Sequence, residues 1–213
     1  MRPQRLGAAG ALALLLAGLL YPSGTQAADA ASARQAGEQV ALAKGCGTCH
    51  ALPGEPRGKK PGPSFLSPAP PQPASEVLRR LWNHIPGMRQ HFLARGLAWP
   101  TIQTQEMADL LTFLGNQPGL ERPTNLDRGR VLLLQKGCLK CHALAGEGAR
   151  VAPDLVARFR QFGSPVPLAA PLWNHAPAML DRIDKSGIPY PVFQEGEMAD
   201  LLGFLGAFAD VSR

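Results

Sequence analysis

The residues best suited to chemistry come in two short, matching runs, Cys46-Gly47-Thr48-Cys49-His50 and Cys138-Leu139-Lys140-Cys141-His142. In C-x-x-C-H the two sulfurs are three residues apart, near enough on one helical turn to share a face, and the histidine follows the second cysteine directly. That arrangement suits a c-type haem site, where each sulfur forms a thioether to a vinyl group of one porphyrin and the imidazole is the proximal iron ligand. All four cysteines are used in these runs, which leaves none for a structural disulfide. A redox disulfide and a zinc site compete for the same residue types. A shared four-cysteine zinc site is disfavoured because the pairs stand 92 residues apart, far beyond a zinc-ribbon loop. Two haem c groups are therefore expected, held by Cys46, Cys49, Cys138 and Cys141, with His50 and His142 on the irons.

The surrounding sequence must position these runs, and it starts with an export signal. Residues 1–27 read as a signal peptide, with Arg2 and Arg5 at its charged start, an apolar stretch from Leu6 to Leu20, and Thr25-Gln26-Ala27 as a small-residue cleavage site. The apolar stretch is shorter than an ordinary membrane span, so no integral span is expected in the mature protein. Bacterial c-type haem attachment takes place outside the cytoplasmic membrane, and the expected location is the periplasm. A leader retained as an anchor is the alternative. Of 213 residues, the remainder suits two units of roughly 90 residues each. Units that small have thin cores. An aromatic content of 6% fits a core filled partly by porphyrin, and 23 glycines with 21 prolines imply long irregular loops between short helices. The formal charge of +6 falls to +4 without Arg2 and Arg5, and the basic residues are scattered. Nucleic-acid binding is not expected. Arg57, Lys59 and Lys60 form one basic cluster, read as a solvated loop.

The chain is an internal duplication. Lys44-Gly45-Cys46 matches Lys136-Gly137-Cys138 at an offset of 92. Leu81-Trp82-Asn83-His84-x-Pro86-x-Met88 matches Leu172-Trp173-Asn174-His175-x-Pro177-x-Met179 at 91, and the run 106–111 is identical to 197–202 at the same offset. The halves are placed at 31–117 and 126–210, with a linker over 118–125. Each half reads as a first helix (32–44 and 126–136, the latter capped by Asn125 or Thr124), a long loop, and a middle helical segment carrying Trp-Asn-His-x-Pro-x-Met. Ser75 is expected to cap the middle segment of the first half. A last helix follows, from Thr104 or Gln105 to Leu114 and from Glu195 to Phe208, with Met107, Leu110, Leu111 and Leu114, then Met198, Leu201, Leu202 and Leu205, along one face. No strand pattern competes. Pro86 and Pro177 are expected to bend or start their helices, because each removes the hydrogen bond to the tryptophan carbonyl four residues back.

Taken together these residues resemble the class I cytochrome c family, twice in tandem, over essentially the whole mature chain. The resemblance implies an all-α fold of two cytochrome c-like domains, each around one covalently bound haem. It implies that Gly37 and Gly129 allow close approach of the last helix near Phe113 and Phe204, and that Pro63 and Pro153 offer a carbonyl to the proximal histidine ring. The distal side departs from the family layout. The loops before the last helices, Arg95 to Pro100 and Ser186 to Pro191, contain no methionine to serve as distal ligand. The Trp-Asn-His-x-Pro-x-Met blocks supply the candidates: Met88 and Met179 are preferred, with His84 and His175 as the alternative and an open site as a third reading. Trp82 and Trp173 are expected in core or haem-edge packing, with an indole N–H able to reach a propionate. His91 has Arg182 as its counterpart and reads as a surface residue.

The function expected is that of a periplasmic dihaem cytochrome that carries single electrons between redox partner proteins in the periplasm or on the membrane, and not that of an enzyme. A dihaem peroxidase, a thiosulfate-oxidising cytochrome and a tethered subunit of a respiratory complex are the alternatives. The two ligand blocks are nearly identical, which argues against an enzyme with one specialised iron.

Overall fold

The computed structural model describes the backbone of residues 23–211 apart from Arg57, and side chains from Ala28 onward. Nearly all of the expected signal peptide, and Arg57 of the basic cluster, lie outside the described residues. The described chain is mostly helical, as expected. In the first half α1 (Ser23–Ala43) leads into a single 3-10 turn at Cys46–Thr48, followed by a long loop, α2 (Ala74–Ala94) and α3 (Thr104–Phe113). In the second, α4 (Leu126–Gln135) leads into the matching turn at Cys138–Lys140, followed by α5 (Leu155–Phe162), α6 (Pro165–Ser186) and α7 (Glu197–Val211). Among the described residues no helix is long and apolar enough to cross a membrane.

Several local expectations need correction. A two-residue hairpin, β1 (Ala143–Leu144) with β2 (Glu147–Gly148), follows the second C-x-x-C-H run. Helix α5 has no counterpart in the first half, where Pro68, Pro70 and Pro71 occupy the equivalent stretch and remove the N–H groups that a helix needs. Asn125 caps α4, its side chain accepting from the Arg128 N–H. Ser75 caps nothing. It lies inside α2, whose N-cap is Pro73, and its N–H and hydroxyl both donate to the Glu121 carboxylate at 2.9 and 2.6 Å. The linker is tied again at its far end, where the buried Asp200 accepts from Arg122, from the Asn125 N–H and from Arg128.

Within each half the first and last helices pack together, α1 on α3 and α4 on α7. A glycine makes each crossing possible. A Cβ on Gly37 would lie 2.1 Å from the Asp109 carbonyl oxygen and 2.7 Å from the Phe113 Cβ. On Gly129 it would lie 2.1 Å from the Asp200 carbonyl oxygen and 2.6 Å from the Phe204 Cβ. The repeated Lys-Gly-Cys and Glu-Met-Ala-Asp-Leu-Leu blocks meet at the same corner. Glu106 reaches back to the Gln103 N–H to close the start of α3 and also pairs with Lys44 at 2.8 Å; Glu197 does the same with Gln194 and with Lys136 at 2.9 Å. Gly45 and Gly137 then turn the chain sharply into the 3-10 turn at φ 78° and 74°, values that favour glycine.

The middle helices do not stay with their own halves. Helix α6 packs on α3 and α2 packs on α7, while α2 and α6 also touch each other. The third repeated block makes this exchange. Trp82 Nε1 donates to the Pro191 carbonyl at 2.6 Å and Trp173 Nε1 to the Pro100 carbonyl at 2.8 Å. Asn83 clamps the backbone of Phe193 through both ends of its amide, and Asn174 clamps Ile102 in the same way. Tyr190 stacks on Trp82 with ring centres 5.2 Å apart, and Trp99 on Trp173 at 4.2 Å.

The prolines complete this pattern. Neither Pro86 nor Pro177 starts its helix; both lie in helix interiors. Each leaves the carbonyl four residues earlier without a helical N–H. Those carbonyls belong to Trp82 and Trp173, and the opposite half supplies the missing donors: Tyr190 Oη to Trp82 O at 2.9 Å and Trp99 Nε1 to Trp173 O at 3.1 Å. The loops that lack a methionine are therefore engaged as the clasp between halves.

Candidate functional site

Each C-x-x-C-H run opens onto a cavity lined mainly by apolar side chains. The first is about 460 Å³ and includes Cys46, His50, His84 and Met88 in its wall; the second is about 490 Å³ and includes Cys138, His142, His175 and Met179. A narrower cleft of about 200 Å³ beside the second reaches Cys141 as well. The two larger volumes fall within the range of small-molecule and cofactor sites. Equivalent residues of the two halves recur in the walls, including Leu110 with Leu201 and Leu114 with Leu205 from the last helices.

The histidines after the second cysteines are held in one tautomer. His50 Nδ1 lies 2.8 Å from the Pro63 carbonyl oxygen and His142 Nδ1 lies 2.7 Å from that of Pro153. A carbonyl only accepts, so Nδ1 carries the proton and Nε2 keeps a free lone pair, the state of an imidazole ready to bind iron. Phe65 stacks on the His50 ring at 4.5 Å and fixes its plane. His84 Nδ1 is bound in the same manner to the Arg80 carbonyl one turn back, at 2.7 Å. Burial pushes His50 below its ordinary range; the Pro63 carbonyl partly offsets this, while nearby His84 and Lys60 add to it. His175 is lowered by burial first and then by His142 and Arg158.

Burial raises the thiol of Cys46 above its ordinary value and pushes that of Cys138 up to about 11. Both sulfurs are neutral thiols at neutral pH, unlike the low-pKa thiolates of redox-active C-x-x-C pairs. No two of the four cysteines are joined in a disulfide. Among the described residues no group of three or more His, Cys, Asp or Glu side chains is placed to hold a metal ion by itself. A porphyrin iron needs only one or two protein ligands, since the macrocycle supplies the rest, so the residues present fit haem better than a bare ion.

Three contributors were not read from the sequence. Lys60 is no solvated loop residue: its ammonium lies 2.5 Å from the Gly47 carbonyl, 3.3 Å from that of His50 and 2.5 Å from the Glu55 carboxylate, so it ties the first C-x-x-C-H turn together. Arg80 from α2 stands in the wall of the first cavity and Arg158 from α5 in that of the second, at positions that are not equivalent between the halves. Either guanidinium suits the carboxylates of a tetrapyrrole. Their signal in the sequence is weak because the repeat does not align them.

Trp82 and Trp173 are buried in the core, as expected, but the expectation for their indole N–H groups is corrected. The indole N–H groups of Trp82 and Trp173 are committed to the Pro191 and Pro100 carbonyls and do not face a propionate site. Each tryptophan also lines the cavity of the opposite half, Trp82 the second and Trp173 the first. His91 is exposed, as expected. Comparison with protein-family models, with curated proteins and with solved structures finds no match to the chain.

Proposed function

We propose that this chain is an exported dihaem c-type cytochrome of the class I kind, carrying single electrons between redox partner proteins. The observation that carries the reading is the repeated cavity wall of a cysteine sulfur beside an imidazole with its Nδ1 bonded to a proline carbonyl. Haem, when bound, supplies reversible one-electron Fe(III)/Fe(II) chemistry. Cys46, Cys49, Cys138 and Cys141 would hold the porphyrins as thioethers, and His50 and His142 would bind the irons through Nε2. The Pro63 and Pro153 carbonyls keep those imidazoles oriented and raise their basicity. The apolar walls exclude water, and Arg80 and Arg158 offer positive charge to the propionates.

Met88 and Met179 are the preferred distal ligands, for both are in the cavity walls and thioether ligation suits a carrier of high potential. One observation favours the histidine alternative in the first half: the Nδ1 bond of His84 to the Arg80 carbonyl prepares Nε2 as a ligand. The test is coulometric reduction of the oxidised holoprotein combined with its far-red absorption. Uptake of two electrons per chain, with the weak charge-transfer band of methionine-bound ferric haem, supports the carrier reading with Met88 and Met179. Two electrons with no such band and low-spin irons moves the distal role to His84 and His175. No electron uptake refutes the reading.

A further inference from the structure

The repeated Trp-Asn-His segment touches both cavities within three consecutive residues. Trp82 stands in the wall of the second cavity, Asn83 grips Phe193, which is also in that wall, and His84 lines the first cavity. Trp173, Asn174 and His175 repeat this with the halves exchanged, through Ile102 and the first cavity. A rise of about 3 Å along one helix therefore separates a residue of one cavity from a residue of the other. Nothing in the duplication requires this, because a last helix of either half presents the same Glu-Met-Ala-Asp-Leu-Leu face to a middle helix.

On the reading that each cavity takes a haem, we infer that Trp82 and Trp173 are positioning residues acting in trans: each is carried by one half and sets the environment of the haem in the other. Trp82 is 5% exposed and is fixed on all sides, by the Pro191 carbonyl at its indole N–H, by Tyr190 stacked on its face and by Phe193 against its edge. A ring held this way closes the cavity to water. Water exclusion favours the iron state of lower charge, so each tryptophan raises the potential of the opposite haem. The backbone carbonyl of each tryptophan is in turn held by Tyr190 or Trp99, which belong to the half whose cavity the tryptophan closes. The clasp that joins the halves is thus also the device that makes each site depend on its neighbour.

The test is a redox titration of the holoprotein resolved into two one-electron steps. Leu155→Ala, in the wall of the second cavity, identifies the step of the second half, and Phe65→Leu, in the wall of the first, identifies the other. Trp82→Phe is expected to lower the step that Leu155→Ala moves, and Trp173→Phe the step that Phe65→Leu moves. Tyr190→Phe keeps the indole in place and loosens it only, so it should lower the second-half step by less than Trp82→Phe; it also decides the matter if the tryptophan variants do not fold. The inference is overturned if each tryptophan variant moves the step of its own half, moves both steps equally, or moves neither. A wild-type protein containing two covalent haems with any of those three results loses the trans assignment and keeps the cytochrome reading. A wild-type protein without covalent haem loses both.

Discussion

Replacing Tyr190 by phenylalanine tests the clasp at its most specific bond. Pro86 has no N–H, so the Trp82 carbonyl depends on the Tyr190 hydroxyl at 2.9 Å. Burial holds that phenol far above its usual range, so it remains a donor at any working pH. The phenylalanine ring still stacks on Trp82, and the loss is confined to one hydrogen bond and one stranded carbonyl. A buried acceptor left without a partner costs about 1–3 kcal/mol. For a chain of this size each kcal/mol lowers Tm by roughly 2–4 °C. The decisive comparison is a double-mutant cycle with Pro86→Ala. That replacement restores the helical N–H to the Trp82 carbonyl, and Tyr190→Phe should then cost only about 0.5–1 kcal/mol, the net worth of an ordinary hydrogen bond. Urea unfolding of the four proteins gives the coupling, expected at about 1 kcal/mol. Equal losses in the two backgrounds would refute the claim that the tyrosine stands in for the missing proline N–H.

Gly129→Ala places a methyl group 2.1 Å from the Asp200 carbonyl oxygen, so α4 and α7 must separate; a loss of about 3 kcal/mol or more is expected in urea unfolding, and a loss near zero would contradict the close crossing. Lys60→Met frees the Gly47 and His50 carbonyls and should cost about 1 kcal/mol, read as a lower Tm, with no effect expected if the lysine is merely solvated. The Glu106 carboxyl is held below its ordinary value by the Gln103 N–H first and by Lys44 second. Its contribution is therefore complete above the unfolded carboxylate range of about 4.3 and fades as pH falls through the lower folded value. Glu106→Gln should accordingly be less stable than wild type at pH 7 and equal to it once both states are protonated; an unchanged difference at low pH would break the assignment.

The repeat was legible because it is carried by three blocks, and the structure gives each a task. Lys-Gly-Cys and Glu-Met-Ala-Asp-Leu-Leu meet through Lys44 with Glu106 and Lys136 with Glu197, and Trp-Asn-His-x-Pro-x-Met makes the clasp. The proline carbonyls opposite His50 and His142, and the glycine crossings at Gly37 and Gly129, are where the family resemblance implied. The exchange of middle helices was not legible, because identical last-helix blocks offer the same partner surface in either half. A clue lay in the stranded tryptophan carbonyls: a proline inside each middle helix demands an outside donor, and Trp99 and Tyr190 are aromatic donors at the offset of the repeat. Helix α5 was hidden because its first-half counterpart is proline-rich, although Val156 and Phe159, both buried, have helical spacing. Lys60 was misread because a charge cluster says nothing about carbonyls that the fold brings to it.

The most direct test of the account is the intact mass and the reduced pyridine haemochrome spectrum of the protein purified from a host that attaches c-type haem. The account predicts two covalently bound haems per chain, each with both vinyl groups saturated, and one haem in the variant carrying both Cys138→Ala and Cys141→Ala. A chain that leaves such a host with four free thiols and no haem would contradict it.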